Sequence, residues 1–168
     1  MEINENAPVV LRHRIEIFAP PEKVWDRLSR VELWDEWRHD LSGSRHVRGT
    51  GEGSVFRWRH RKIFGTTATF ESWKTLRELG WVSEPCGSRF TQVLRLSGDF
   101  RKTVVTAEAS MEGRMVGNPF LRSLFESQIN RTNEIWLGAL KTRLEFGTHE
   151  PPGPPPDHRP PRRMRMPM

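Results

Sequence analysis

The first regular pattern in the chain is an alternation of apolar and polar residues between Val9 and Phe18. A period of two predicts an amphipathic β-strand. The strand ends at Ala19-Pro20-Pro21, and because proline is well tolerated in the first turn of a helix, the two prolines predict a helix start. Apolar residues at helical spacing then predict one helix over residues 22–28 and a second short helix around residues 33–37.

Six further runs resemble strands and are separated by Gly or Pro, which is typical of an antiparallel meander with short turns. The alternation is clearest over residues 54–61, where Phe56, Trp58 and His60 face one way and three arginines face the other. The approximate bounds of the six predicted strands are 44–49, 53–61, 64–75, 77–83, 88–97 and 101–112.

A long helix is predicted at the end of this series. Asn118-Pro119 combines a capping side chain with proline at the first helical position. Apolar residues keep helical spacing to about Glu145, so the helix spans roughly 27 residues and about 40 Å. An antiparallel sheet with one apolar face needs a cover, and this helix is the largest element available. We therefore expect an α+β fold in which a curved antiparallel sheet of about seven strands wraps around the helix, with two short helices after the first strand. A strongly twisted sheet leaves space beside such a helix.

The composition changes abruptly near Gly147. Beyond it lies a segment rich in proline and arginine, whose prolines cannot support a regular hydrogen-bond ladder and which has little to bury. We therefore expect one folded domain over residues 1–146 and a disordered tail over residues 147–168. The alternative is that the tail is a docking peptide for a partner. Residues 151–168 contain four arginines and one aspartate, so they supply half of the net charge of +6.

Trp and Phe dominate the aromatic residues, with 7 Trp, 9 Phe and no Tyr, and they supply most of the apolar area available for burial. The single cysteine, Cys86, excludes an intrachain disulfide and a cysteine-based metal cage. Neither a signal peptide nor an apolar run of roughly 20 residues, the length needed to span a bilayer, is evident. We expect a soluble, cytoplasmic protein without stable membrane insertion.

Four segments together resemble the START-like superfamily, also called SRPBCC, and more narrowly its polyketide cyclase/dehydrase and lipid-transport group. The segments are residues 19–26, 31–37, 110–113 and 136–141, and the resemblance covers about residues 9–145. It implies the helix-grip fold, with an apolar cavity between sheet and helix. Members of the superfamily include lipid carriers, hormone-binding proteins and aromatase/cyclases, so the resemblance is much more specific for fold than for function.

Candidate ligand-binding residues are those that the two periods place on the facing surfaces of sheet and helix. Among them, Gln92 could orient a ligand carbonyl or hydroxyl, or could be satisfied by the backbone of the sheet. Gln128 and Thr132 are polar residues on the predicted inner stripe, where a ligand atom or a water would satisfy them, unless that stripe turns toward solvent. The full set is Phe56, Trp58, His60, Phe90, Gln92, Leu94, Leu124, Phe125, Gln128, Thr132 and Trp136.

Two residues are candidates for proton transfer. His60 shares a strand face with Phe56 and Trp58, so its imidazole could move a proton at the cavity wall; alternatively it is a strand-end histidine that meets backbone or water. Glu108, if buried, could act as an acid or base with a raised pKa; if exposed, it is a solvated carboxylate. The leading hypothesis is a binding module for a lipid-like or aromatic polyketide-like molecule. The alternative is a polyketide aromatase/cyclase-dehydratase that acts on a poly-β-ketone intermediate.

Other functions have weaker support. The arginines of residues 57–61 lie on the opposite strand face from the rings, so stacking and phosphate contacts would not share a surface, and we expect no nucleic-acid binding. The histidines have no close pairs and no carboxylate at ligand spacing, so no metal site is predicted. The glycines of residues 49–53 are followed by neither a helix nor a lysine, which argues against a phosphate loop. We expect no cofactor.

Overall fold

The computed structural model describes residues 1–60 and 64–147. The predicted tail lies almost entirely outside the described residues, and with it the predicted disorder and the docking alternative. The strands are β1 (Val9–Ile17), β2 (Leu41–Arg48), β3 (Val55–His60), β4 (Phe64–Lys74), β5 (Glu78–Ser83), β6 (Ser88–Gly98) and β7 (Thr103–Gly113). The helices are α1 (Pro21–Ser29), α2 (Trp34–Trp37), α3 (Arg114–Gly117) and α4 (Pro119–Phe146), with single 3₁₀ turns at Val31–Leu33 and Pro85–Gly87.

All seven strands form one antiparallel sheet in the order β1-β7-β6-β5-β4-β3-β2. The strands from β2 to β7 follow one another as a meander, and β1 pairs with β7 over its whole length, from Val9 opposite Met111 to Ile17 opposite Thr103. The register shifts in β2 and again in β4 between Phe70 and Ser72. Such irregularities increase the local twist. The curved open sheet and long last helix confirm the predicted helix-grip fold class.

The two main helix starts follow the sequence signals. Pro20 precedes α1 and Pro21 occupies its first turn, where a missing N–H has no intrahelical partner to lose. At the start of α4, the side-chain oxygen of Asn118 accepts hydrogen bonds from the backbone N–H groups of Phe120, at 2.9 Å, and Leu121, at 3.3 Å. Both helices therefore begin within a residue of the predicted positions.

The main core cluster combines aromatic rings with a larger number of aliphatic side chains. Trp34, which follows the 3₁₀ turn after α1, lies between sheet and helix, and its indole N–H donates to the carbonyl oxygen of Leu28 at 3.1 Å. Its ring packs at centroid distances of 5.5 to 6.1 Å against four others: Phe56, Trp58, Trp81 and Trp136. A second, smaller cluster of Val9, Met111 and Val116 lies at the other end of the sheet.

The N-terminal segment covers part of the outer face of the sheet. Ile3 is buried there, and the amino group of Met1 lies 2.6 Å from a carboxylate oxygen of Glu78. The same carboxylate accepts a hydrogen bond from the Ser72 hydroxyl at 2.6 Å and pairs with Arg95 at 3.2 Å. This side of the sheet is thus held by a polar network, whereas the opposite side carries the aromatic core.

Candidate ligand cavity

A cavity of about 210 Å³ lies between the sheet and α4. It is bounded by residues of both hydrophobic clusters, since Trp81 and Trp136 belong to the main cluster and Phe90 and Ile129 pack against the smaller one. An apolar cavity of about 150 Å³ binds benzene, and pockets for drug-sized ligands begin near 300 Å³. The volume therefore suits one or two fused rings. The lining residues are Arg38, Trp58, His60, Thr66, Trp81, Phe90, Gln92, Gln128, Ile129, Thr132, Asn133 and Trp136.

Seven of the eleven residues singled out from the sequence line this cavity. The strand period brings four of them there, because residues two apart share a face of β3 and of β6. The helix period brings the other three, which lie one turn apart along α4. The seven are Trp58, His60, Phe90, Gln92, Gln128, Thr132 and Trp136.

The other four predicted residues lie elsewhere. Phe56 and Leu94 are fully buried in the main core and do not reach the cavity. Phe125 packs against the smaller cluster. Leu124 is 57% exposed, because the inward face of α4 passes through Phe125 and Asn133, and Leu124 is rotated by about 100° from its neighbour. The inward face of α4 expected from the sequence therefore included one residue, Leu124, that lies beside that face.

Glu108 lies on the outer face of β7, away from the cavity. Its carboxylate pairs with Arg12 Nε at 3.3 Å and with the guanidinium of Arg95. The alternation of β7 puts its side chain opposite the buried Ala107 and Ala109, as the sequence pattern indicated. A carboxylate in that position cannot exchange a proton with a molecule inside the cavity.

The polar end of the cavity contains a buried ion pair that sequence reasoning missed. Arg38 is 6% exposed, and its Nε and Nη2 bind the two carboxylate oxygens of Asp40 at 3.1 and 2.6 Å. Burial lowers the pKa of Arg38, and Asp40 only partly offsets this. Burial raises the pKa of Asp40, but the hydrogen bond and charge of Arg38 and the charge of His60 outweigh it, so the net shift is downward.

His60 lies on the other side of the same carboxylate. Its Nδ1 is 3.4 Å from Asp40 Oδ2, and the imidazole also lines the cavity. A carboxylate beside one ring nitrogen favours the tautomer that carries the proton there. Asp40 thus connects Arg38 with His60 at one end of the cavity.

Three N–H groups on cavity-lining residues are buried without a hydrogen-bond partner. They are the indole N–H groups of Trp81 and Trp136 and the amide nitrogen of Asn133. Asn133 is 4% exposed and faces inward from α4. No sequence signal identified it, since a lone asparagine within a helix is usually solvated. Two other amides are engaged: Gln92 donates to the Glu108 carbonyl at 3.2 Å, and Gln128 to the Thr132 hydroxyl at 3.3 Å.

A second concavity of about 250 Å³ lies on the outer face of β4 and β5. Its lining includes Thr67, Thr69 and the exposed ion pair of Arg89 with Glu71 at 3.2 Å. It is slightly larger than the inner cavity and about as open, but it is lined mostly by hydroxyl and charged groups. Apolar ligands gain little there, so the inner cavity is the stronger candidate site.

The described residues, 1–60 and 64–147, show neither a group of metal-binding side chains nor a helix that could cross a membrane. Within those ranges, His, Cys, Asp and Glu side chains do not gather in any group of three or more that could hold a metal ion. Over the same part of the chain, none of the helices combines the length and the apolar character that crossing a membrane requires.

Comparison with known proteins places this geometry in a family. The family model described as "Polyketide cyclase / dehydrase and lipid transport" matches residues 8–145. No curated protein matches the chain.

Several solved structures share the fold. A START superfamily protein from Mycobacterium smegmatis has a TM-score of 0.68 at 14% identity, over 83% of this chain and 99% of that one. The Aha1 dimer from Colwellia psychrerythraea has a TM-score of 0.62 at 22% identity, over 83% of this chain and 98% of that one. DynU16, from the dynemicin biosynthetic locus, has a TM-score of 0.66 at 16% identity, over 83% of this chain and 48% of that one. At these identities the likeness shows the fold alone.

Proposed function

Since the chain belongs to the polyketide cyclase/dehydrase and lipid transport family, within the START-like superfamily, we propose that it binds a hydrophobic small molecule of lipid-like or aromatic polyketide-like character. The site is the cavity between the sheet and α4. The observation that carries this proposal is the lining itself, in which aromatic rings from the sheet and from α4 lie among seven polar side chains. Ligand sites commonly combine apolar rings with polar groups that fix the orientation of the ligand.

The cavity volume limits the size of the ligand group that it can hold. A volume of about 210 Å³ accommodates a bicyclic aromatic group, not a long acyl chain in full. Ring stacking on Trp58, Trp81 and Trp136 would stabilise such a group, because aromatic pairs contribute about 0.5–1.5 kcal/mol beyond the burial of their area. An aromatic ligand is therefore favoured over a purely aliphatic one.

The test is a titration with 1-aminonaphthalene, a neutral bicyclic dye whose emission shifts to the blue in apolar surroundings. We expect saturation at one dye per chain, with quenching of tryptophan emission. Thr132→Phe places a ring in the cavity and should abolish the saturable signal. Thr142→Phe is the matched control, because Thr142 is an exposed threonine of the same helix that does not line the cavity. Failure of the wild type to bind, or equal binding by both variants, would contradict the proposal.

A second candidate function is proton transfer to or from the bound molecule, as in a polyketide cyclase/dehydratase. The specific observation in its favour is the contact between His60 Nδ1 and Asp40 at 3.4 Å, at the cavity wall. A base held in this way could remove a proton next to a ligand carbonyl, and cavity-imposed orientation would favour an intramolecular condensation.

Exchange of the methyl protons of 2-acetylnaphthalene with deuterium, followed by NMR, tests this second function. A catalytic His60 would give wild-type exchange above the buffer rate, and His60→Ala would lower it by roughly 10²–10⁴-fold while affinity is retained. Glu108→Gln is the control, because Glu108 lies outside the cavity. Exchange at the buffer rate in the wild type would leave the protein as a binding module.

A further inference from the structure

We propose that the ligand carries an uncharged carbonyl group, and that the carbonyl oxygen is bound by the N–H groups that surround Trp136. This inference rests on the proposed function, because it specifies the chemistry of the molecule that the same cavity holds. It names a recognition element, the donor cluster, which we define as Arg38, Trp81, Asn133 and Trp136.

The unpaired groups of the cavity are all donors. Buried polar groups are nearly always hydrogen-bonded, and each exception calls for an explanation. Here the indole N–H groups of Trp81 and Trp136 and the amide nitrogen of Asn133 lack partners. Because an indole can donate but cannot accept, a ligand satisfies these groups only with an acceptor atom.

The donor cluster converges on one ring. The Trp81 and Trp136 ring centroids are 5.5 Å apart. The guanidinium carbon of Arg38 lies 5.5 Å from the centroid of Trp136. Asn133 precedes Trp136 by three residues in α4, so the two side chains share a helix face. Arg38 uses Nε and Nη2 to bind Asp40, which leaves Nη1 for another acceptor. These side chains are therefore neighbours at one end of the cavity, where a ligand oxygen would meet more than one donor once a side chain turned.

Neighbouring atoms cover the three unpaired N–H groups, so an oxygen reaches them only when a side chain turns. Asn133 is the side chain best suited to do so. Its terminal torsion is broad and roughly two-fold, and a half-turn exchanges the positions of the amide nitrogen and oxygen. Binding therefore involves a local change of the amide, without movement of the helix backbone.

The charges at this end favour a neutral ligand. Asp40 already balances Arg38 with two hydrogen bonds, and the remaining donors are uncharged. A ligand carboxylate would bring a second negative charge close to Asp40, whose side chain is only 14% exposed, and like charges disfavour one another there. A ketone oxygen accepts the same hydrogen bonds without that repulsion.

The first experiment compares two uncharged probes of nearly the same shape, 2-acetylnaphthalene and 2-ethylnaphthalene, by equilibrium dialysis against the full chain. They differ mainly in the carbonyl oxygen. We expect the ketone to bind roughly 10-fold more tightly or better, as expected when an acceptor meets stranded donors. 2-Naphthoate, the charged probe, should bind more weakly than the ketone.

Variants then assign the preference to the donor cluster. Asn133→Leu and Trp136→Phe each remove a donor, and each should reduce the ratio of the two dissociation constants by about 3-fold or more, even where packing losses weaken both probes. Trp25→Phe is the matched control: it makes the same change in a tryptophan that packs against Trp73 and does not line the cavity. That variant should keep the wild-type ratio.

The possible outcomes separate this inference from the proposed function. Equal affinity for the ketone and the hydrocarbon in the wild type contradicts the donor cluster while leaving the binding function intact. Tighter binding of 2-naphthoate than of the ketone contradicts the preference for an uncharged ligand. If none of the three probes binds, the proposed function fails as well.

Discussion

Replacing Asp40 with Asn removes the counter-ion of the buried guanidinium of Arg38, and we expect a marked loss of stability. Breaking a buried ion pair by removing one partner typically costs about 3–5 kcal/mol, because the remaining charge is left uncompensated. The Arg38 side chain is 7% exposed and that of Asp40 is 14% exposed, so both charges are largely shielded from water. Asn keeps one oxygen that can accept from Arg38. We therefore place the expected cost near the lower limit, at about 3 kcal/mol.

A double-mutant cycle isolates the pair from other effects of the substitutions. The variants are Asp40→Asn, Arg38→Met and the combination of the two, each unfolded with urea at pH 7 and followed by tryptophan emission. We expect a coupling free energy of about 1.5 kcal/mol or more, since the two residues are in direct contact. The double variant should be more stable than the sum of the single losses suggests.

The pH dependence provides an independent check on the same pair. The pKa of Asp40 lies below its ordinary value of 3.8 in the folded protein. The contribution of the ionised Asp40 to stability is therefore complete above the pKa of the unfolded state and is lost as the pH falls through the pKa of the folded state. The free energy of unfolding of Asp40→Asn should therefore lack this loss at low pH.

In the double-mutant cycle, a coupling free energy below about 0.5 kcal/mol, within the usual error of additivity, would refute the view that Arg38 depends on Asp40 as its counter-ion.

Three further predictions concern the rest of the fold. Burial raises the pKa of Glu78, but hydrogen bonds led by that of the Met1 amino group lower it from 4.5 to about 2. The ionised carboxylate therefore stabilises the fold by up to about 3 kcal/mol above pH 4.5, and this contribution is lost as the pH falls toward 2. In urea titrations, the free energy of unfolding of Glu78→Gln should fall less at low pH than that of the wild type. Asn118→Ala removes the cap of α4 and should cost about 1 kcal/mol in the same assay, whereas no loss would mean that the cap is not needed. Deleting residues 148–168 should leave the melting temperature within about 5 °C; a larger drop in a thermal melt would mean that this segment packs on the domain.

Periodicity explains why the fold could be predicted from the sequence. The alternation at Phe56, Trp58 and His60 predicts a strand with one inward face, and the Asn118-Pro119 pair predicts the start of α4. These signals depend only on local geometry, which the chain keeps in the folded state. The same periods brought Trp58, Gln92 and Trp136 to the cavity.

The polar end of the cavity could not be predicted in this way. Arg38 and Asp40 lie just after α2 and before β2, where no regular period applies, and their pairing with His60 depends on how that segment packs against β3. Asn133 carries no pattern of its own within α4. Leu124 shows the opposite error, because an apolar residue on a helix can lie just outside the buried face.

The most direct test of the central claim is to follow the seven tryptophan indole N–H signals by ¹H–¹⁵N NMR during titration with 2-acetylnaphthalene, assigning each signal with a Trp→Phe variant. The signals of Trp58, Trp81 and Trp136, which line the cavity, should shift with one dissociation constant. Those of Trp81 and Trp136 should move in the direction of a new hydrogen bond. Trp25 and Trp73 pack against each other away from the cavity lining and should stay unchanged. Shifts confined to Trp25 and Trp73, or no shifts at saturating probe, would contradict binding between the sheet and α4.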